Sequence, residues 1–311
     1  MATTTASSGA RRSRLTRTSG WRRSREMRGM VYALPTFVFV VVFFVLPLIL
    51  VARMSASDWS LLRGDRGINL PADYTSIQAN SLFWPAVLFT IEYTVIVTIL
   101  LIGLGLALAL LVQNGGRWVG FLRTSFLLPG AVGLATASLL FWGFYSPSIG
   151  PISPPLQALG LIHEPIQFLG TSLSALLSTT FLIVWKYAGF YMLILLVGLQ
   201  GIAPELFEAA AIDGAGRWQT FRGITLPLLR PSLALSLILC ITGSLLAFDQ
   251  FYILTKGAPD NTTVTVVQLI YREAFQRQNL GTAAALSIMV LAVLLALNTF
   301  QFRGLRASEG E

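Results

Sequence analysis

Three charged side chains, Glu92, Lys186 and Asp249, lie inside long apolar stretches of the sequence. A charge within hydrocarbon costs about 3 kcal/mol even on a lenient scale. Each of the three must therefore form a pair, reach the water interface or contact a polar solute. Glu92 and Asp249 lie near the ends of their stretches, where the interface is within reach, whereas Lys186 lies nearer the middle. Lys186 could pair with Asp249 or with Glu92, and the sequence does not distinguish between these pairings.

Aromatic and hydrogen-bonding side chains, among them Gln250, lie within a few helical turns of Lys186 and Asp249. Such side chains line solute pathways, but aromatic residues in membrane spans also serve as packing or interfacial belt residues. The sequence leaves both roles open. Our candidates for a solute pathway are Trp185, Lys186, Tyr187, Tyr191, Phe248, Asp249 and Tyr252.

Several kinds of catalytic chemistry require residues that this chain has too rarely. The one cysteine, Cys240, excludes an intramolecular disulfide and a multi-cysteine metal site, and the one histidine, His163, excludes a zinc site built on a histidine pair. An ATP-binding P-loop requires Gly-Lys-Ser/Thr, and the two lysines, Lys186 and Lys256, stand in other contexts. We therefore expect no metal, no bound cofactor and no enzyme activity in this chain, so any energy must come from a partner.

The composition indicates an integral membrane protein. Apolar residues make up 54% of the 311 residues and charged residues only 12%, against roughly 25% charged residues in soluble proteins. A helix of about 20 residues spans the hydrocarbon core of a bilayer. Six stretches meet or approach this length and predict an all-α protein with six transmembrane helices, at about 30–52, 86–112, 124–148, 171–199, 231–255 and 281–302.

The distribution of arginine and lysine predicts the orientation in the membrane. With the N-terminus inside, fifteen basic residues lie in the inside segments and six in the outside segments. The positive-inside rule then places both termini in the cytoplasm. Residues 1–29 are rich in Arg, Ser and Thr, and we expect a disordered basic tail attracted to anionic lipid rather than to nucleic acid. The predicted organisation is this tail, a membrane domain over 30–303 and a cytoplasmic tail over 304–311.

The segment 203–227, between the fourth and fifth stretches, has the pattern of a helix–turn–helix. Pro204 suits the first position of a helix, and the two glutamates that follow it suit the positive end of the helix dipole. Gly214 suits the end of that helix. A second short helix is expected from about Arg217 to Ile224, ending before Pro227. The small alanine and glycine side chains would let another protein approach this segment closely.

The same segment resembles the EAA loop of ABC-importer permeases. The family pattern is Glu-Ala-Ala, three residues, Gly, nine residues, Ile, one residue and Leu-Pro. An amphipathic surface hairpin with no partner is the alternative interpretation. The general pattern is matched here by Glu208, Ala209, Ala210, Gly214, Ile224, Leu226 and Pro227, and the version found in sugar permeases also by Asp213, Ala215 and Phe221.

Three further segments, Arg123–Pro129, Trp185–Met192 and Phe248–Pro259, resemble the maltose-type, binding-protein-dependent carbohydrate permeases. The resemblance runs from about Tyr32 to Arg303. It implies the type I ABC importer permease fold and a place in the bacterial cytoplasmic membrane. It also implies that Tyr191 and Phe248 fall at or beside positions that line the sugar site.

The resemblance further implies partners and a mechanism. Two permease subunits, often paralogues of each other, form the pore, and an extracellular or lipoprotein sugar-binding protein delivers the substrate. Two ATPase subunits use ATP and Mg²⁺, and each receives one EAA loop in a surface cleft. Glu208 would pair with a basic group of the ATPase, and Gly214 would allow the turn that shapes the docking surface. Closure of the ATPase dimer would then tilt the spans between two arrangements.

Other classes of function explain fewer features of the sequence. An ABC permease for a non-sugar solute would share the glycine and the Glu-Ala core of the loop. An ion-coupled secondary transporter would use the three intramembrane charges as a relay, but it shows no convincing internal repeat here and leaves the EAA loop without a role. A membrane enzyme or assembly scaffold is the third class, and one histidine, one cysteine and no clustered carboxylates make a catalytic site hard to build.

Overall fold

The structure, a computed structural model, describes residues 32–309, with side chains described up to residue 303. The predicted basic tail at 1–29 therefore lies outside the described residues. The first helix up to Arg53 belongs to one compact unit, and the residues from Met54 onward form a second. In chain order the main helices are α1 (Tyr32–Met54), α2 (Ala72–Ala79), α3 (Phe83–Val112), α4 (Arg117–Leu127), α5 (Leu134–Phe144), α6 (Ser153–Ala158), α7 (Ser172–Gln200), α8 (Pro204–Ile212), α9 (Arg217–Thr220), α10 (Arg230–Leu245), α11 (Asp249–Leu254), α12 (Val266–Tyr271) and α13 (Leu280–Glu309).

Five spans in the described part of the chain are apolar and long enough to cross a membrane, and they correspond to five of the six predicted stretches. One of them, Arg230–Leu254, combines α10 and α11, which are separated by a short break at residues 246–248. The last helix continues to Glu309. Most of the segment 304–311, for which the sequence predicts a cytoplasmic tail, is therefore helical.

The third stretch differs from the straight helix predicted at 124–148. It consists of two helical pieces, Arg117–Ala131 and Leu134–Phe144, that are bent by 94° at a two-residue break. The first piece ends in a 3₁₀ turn over Leu128–Ala131, and Val132 is extended. Pro129 lies in that turn and has no backbone N–H to continue a helix. Counting this bent pair as one span gives six.

The described residues also include a small β-hairpin, which the all-α prediction did not contain. Strand β1 (Ser57–Ser60) pairs antiparallel with β2 (Gly64–Ile68), and Ser60 forms an isolated bridge to Asn279. The backbone N–H of Leu61 also donates to the carbonyl of Gln278 at 3.0 Å. The segments before α3 and before α13 are thus tied together at one end of the spans.

Glycines in α3 and α7 bring neighbouring helices into close contact. A Cβ at Gly105 of α3 would lie 3.0 Å from Cβ of Tyr191, so α3 and α7 pack almost backbone to backbone. A Cβ at Gly189 would overlap the carbonyl of Phe126 in α4. Close approach of this kind is typical of membrane helices, because lipid gives helices no hydrophobic reason to associate and packing must do so.

Candidate functional site

The segment 203–229 between α7 and α10 forms a helical hairpin, which we call the coupling hairpin. Pro204 is the first residue of α8, as the sequence predicted. After Asp213, Gly214 has φ of +74°. The N–H of Gly214 donates to the carbonyl of Ala211 at 3.1 Å, and that of Ala215 to the carbonyl of Ala210 at 2.9 Å. These two bonds form a Schellman motif, which closes the helix and requires a left-handed residue that glycine supplies most easily.

The second arm of the coupling hairpin differs from the short helix predicted to end before Pro227. The helix α9 begins after Gly216, whose N–H donates to the Gln219 side chain at 2.8 Å. A π-helical turn follows over Phe221–Thr225, and a further helical turn over Leu226–Leu228 contains the proline. The wider π turn changes the backbone pairing just ahead of Pro227. The arm therefore runs on into α10 as a nearly continuous helix.

The hairpin is anchored to the spans by its apolar side. Phe207 and Ile224 pack against a buried cluster that includes Leu199, Ile202 and Leu229. The opposite side is exposed. It carries small and polar residues beside large apolar ones, namely Glu208, Ala209, Asp213, Gly214, Ile212 (86% exposed) and Trp218 (70% exposed).

A cavity of about 310 Å³ lies between α3, α5, α7 and α10–α11. Four of the seven pathway candidates line it, namely Tyr187, Tyr191, Phe248 and Asp249. Phe190, Cys240 and Ser244 also line this cavity. Aromatic rings and hydroxyls around a concave space are the usual lining of a small-molecule site. The structure therefore brings the two regions of candidates, which are about 60 residues apart in sequence, to one cavity.

Two polar residues of the cavity were not among the pathway candidates. The sequence indicates Gln250 only as a neighbouring hydrogen-bonding group and does not single out Tyr93. Nε2 of Gln250 donates to the Tyr93 hydroxyl at 3.1 Å, and both side chains are buried. They are 157 positions apart, so no local pattern joins them. The available signal was a tyrosine beside Glu92 in an apolar stretch.

The remaining three candidates do not line the cavity. Trp185 packs against Phe141, with ring centroids 5.2 Å apart. Tyr252 stacks on Phe248, and its hydroxyl lies 3.3 Å from that of Tyr271. The Tyr252 ring therefore extends the aromatic wall of the cavity rather than forming its lining.

Lys186 is buried, with 4% of its surface exposed, and its ammonium bonds to backbone. Nζ donates to the carbonyl of Gly130 at 3.3 Å and to that of Val132. These carbonyls lie where the bent third span breaks. Within residues 32–303, Lys186 forms an ion pair with neither Asp249 nor Glu92. Both carboxylates are exposed at their positions, and Asp249 is the first residue of α11, where the helix dipole favours an acid.

The comparisons with known proteins agree with the geometry. A protein-family profile described as "Binding-protein-dependent transport system inner membrane component" matches residues 102–303, which include the coupling hairpin and the cavity residues of α5, α7, α10 and α11. The chain belongs to this family. As a family member it is a multi-pass membrane component of a transport system. The matched region contains the third stretch, α7, the coupling hairpin and α10, and it ends within α13.

Three curated relatives cover nearly the whole chain. The multiple sugar-binding transport system permease protein MsmF of Streptococcus mutans is 30% identical over 88% of this chain and 94% of its own length. The trehalose/maltose transport system permease protein MalF of Thermococcus litoralis is 33% identical over 86% and 90%. The lactose transport system permease protein LacF of Rhizobium radiobacter is 29% identical over 93% and 97%.

A solved structure has the same fold. It is a chain of a bacterial alginate ABC transporter in complex with an alginate pentasaccharide-bound periplasmic protein. The two chains superpose with a TM-score of 0.79 at 23% identity, covering 90% of this chain and 95% of the other. This likeness confirms the expected helical ABC importer permease fold.

Proposed function

We propose that this chain is a permease subunit of an ATP-driven ABC importer for a carbohydrate. It forms part of the pore with a second permease, which we take to be a paralogue. Two ATPase subunits and an extracellular binding protein complete the system. Both termini and the coupling hairpin face the cytoplasm, and ATP and Mg²⁺ are bound by the ATPase subunits. Three relatives named for sugar transport support the substrate class.

The observation that carries the proposal is the exposed face of the coupling hairpin. Glu208, Ala209 and Gly214 lie on a surface with small side chains, held by the Schellman turn and anchored by Phe207 and Ile224. Because the coupling hairpin is joined to both α7 and α10, a displacement of a docked ATPase subunit would move both spans. A Cβ at Gly198 of α7 would clash with Ser232 of α10, so the two spans touch where the hairpin begins.

We propose that the cavity between α3, α7 and α11 is the sugar site. Tyr187, Tyr191 and Phe248 supply ring faces, and Asp249 supplies a hydrogen-bond acceptor. Phe248 is held by stacking on Tyr252 at 5.1 Å. Rings fixed in this way bind a sugar at low cost in side-chain entropy.

The test is ATP-dependent uptake by the assembled importer in proteoliposomes with its binding protein, using maltose, trehalose, lactose and sn-glycerol 3-phosphate as probes. Gly214→Ala is expected to lower uptake about tenfold, because a left-handed conformation costs about 1–2 kcal/mol in any residue with a Cβ. Gly223→Ala is the matched control. A Cβ meets nothing within 4 Å at either glycine, but only Gly214 has a positive φ.

Glu208→Gln is expected to uncouple the importer, with Glu205→Gln of the same helix as its control. ATP hydrolysis stimulated by the binding protein should fall together with uptake in the Glu208 variant alone. Normal uptake in both the Gly214 and Glu208 variants, in fully assembled particles, would contradict the coupling role. A wild-type particle that takes up none of the three sugars would contradict the substrate class.

A further inference from the structure

Glu92 of α3 is a charged residue inside a membrane span, on the outer surface of the chain. Its side chain is exposed, and no hydrogen bond or ion pair joins it to another described residue. Lys186, by contrast, is buried and bonds to backbone carbonyls. A charge in hydrocarbon costs free energy unless polar groups replace the water that it loses. The surroundings of Glu92 must therefore be completed from outside the described chain.

The depth of Glu92 in the span separates it from the outer interface. The helix α3 begins at Phe83, three residues before the predicted stretch. Trp84 is 61% exposed and fits the aromatic belt at the membrane surface. Glu92 follows Trp84 by eight residues, which places it about 12 Å deeper at the rise of an α-helix. A glutamate side chain is too short to return its carboxylate over that distance.

The helix surface around Glu92 has the features of a helix–helix contact. One stripe of α3, which we call the α3 face, carries Glu92, Ile99, Gly103 and Ala107 at spacings of seven, four and four residues. Ile99 is 67% exposed, Gly103 and Ala107 are exposed, and a Cβ at Gly103 would meet nothing within 4 Å. Small residues four apart let a second helix approach closely, and polar side chains strengthen such contacts in lipid.

The charge of Glu92 defines the chemistry of the partner. A carboxylate in a dry interface requires a cation or another hydrogen-bond donor opposite it. In the described spans the arginines lie at or near the ends, and the one cation near the middle is Lys186, which is already bonded. A second copy of this chain thus offers no cation at the depth of Glu92. Two copies joined through the α3 face would also bring like charges together, which is unfavourable.

We propose that the α3 face docks the second permease subunit, and that this subunit is a paralogue which presents a lysine, an arginine or another donor to Glu92. The inference rests on the proposed function. It adds the surface through which the two permeases pair and the chemistry that selects a different chain over a second copy.

The experiment measures how tightly the two permeases pair. The chain is produced together with the second permease and the ATPase subunits, purified in mild detergent and diluted stepwise, and native mass spectrometry follows the pair. Glu92→Leu is expected to raise the concentration at which the pair dissociates at least tenfold, because the partner's donor loses its acceptor. Glu92→Gln should have a smaller effect, since an amide still accepts a hydrogen bond. Glu164→Leu, which removes an exposed carboxylate of an outer loop, is the matched control and should match the wild type.

The chain produced alone distinguishes pairing from a role within the fold. Glu92→Leu should leave its unfolding midpoint unchanged or higher, because no described residue bonds to this carboxylate. A lowered midpoint would overturn the inference. A photoreactive phenylalanine in place of Ile99 should cross-link to the second permease in the assembled particle. Links to lipid alone, or to a second copy of this chain, would also overturn it.

The outcomes separate this inference from the proposed function. Equal dissociation of the Glu92→Leu and wild-type pairs would overturn the docking role of the α3 face. Wild-type particles in which this chain is the only permease would overturn the paralogue. Both results would leave an ABC permease. A wild-type chain that assembles with no ATPase subunit would instead overturn the proposed function.

Discussion

A charged side chain is tolerated in hydrocarbon where polar atoms replace the water that it loses. Lys186 finds such atoms in the backbone of another helix. Its ammonium bonds to the carbonyls of Gly130 and Val132, which the break of the third span leaves without helical partners. A cation at the C-terminal end of a helix is also favoured by the helix dipole. We therefore interpret Lys186 as a cap supplied by α7 to the bent span.

Lys186→Met is expected to lower the thermal unfolding midpoint of the detergent-purified protein markedly. Two carbonyls lose their donor in part-buried hydrogen bonds, and an unpaired group that is fully buried costs about 1–3 kcal/mol. Lys186→Arg should retain part of the stability because a guanidinium also donates. Lys256→Met alters the other lysine, which is exposed, and should leave the midpoint within about one degree of the wild type. Equal midpoints for the two methionine variants would refute the capping role.

The elements of this fold are positioned by close helix contacts. Gly189 faces the backbone of α4, and Gly105 faces Tyr191. Both contacts hold α7, which carries Lys186 and four residues of the cavity wall. Glycine costs helix stability in the interior of a span, so its presence there is explained by the approach that it permits.

Gly189→Ala is expected to destabilise the protein by about 1–3 kcal/mol, because the added methyl overlaps the carbonyl of Phe126 and overpacking costs this much. Gly103→Ala in α3 is the control. A Cβ there meets nothing within 4 Å, so the change should be neutral or stabilising through helix propensity. Chemical unfolding of the two variants in the same detergent measures the difference. The same sign for both would argue against the close contact.

Over the whole molecule, polar contacts connect segments far apart in the chain. Glu273 is buried and accepts from Asn80 at 2.9 Å and from Arg277 at 2.7 Å. Asp73, also buried, accepts from Thr282 at 2.9 Å through Oδ1, while its Oδ2 has no partner among the described residues. These bonds fasten the segment before α3 to the start of α13. The coupling hairpin follows the C-terminal end of α7.

Stability should depend on pH through Asp73. Burial, and secondarily the nearby charge of Asp58, raise the pKa of this carboxyl above its usual value, although the Thr282 hydroxyl opposes the shift. The folded state thus binds a proton more readily than the unfolded state, so this carboxyl favours folding more as the pH falls through the raised pKa toward about 4.

Asp73→Asn is expected to raise the unfolding midpoint at pH 7 and to abolish this component of the pH dependence. The amide keeps an acceptor for Thr282 and carries no charge. Thermal unfolding of both proteins at several pH values between 4 and 8 tests this. The two curves should converge at the acidic end. A wild-type midpoint that drops on acidification relative to the variant would contradict the sign.

Short-range features of the sequence predict much of this fold. Span positions follow from apolar stretches of about 20 residues, because hydrocarbon admits little else. The turn at Gly214 follows from short-range helix-capping rules. The sequence predicts a span at 124–148 but not its 94° bend. Pro129 lies at the break, and the carbonyls there accept from Lys186, which is 54 and 56 positions away. The pairing of Tyr93 with Gln250 also joins distant positions. Contacts between distant segments leave no period in a sequence, so the cavity forms only when the helices pack.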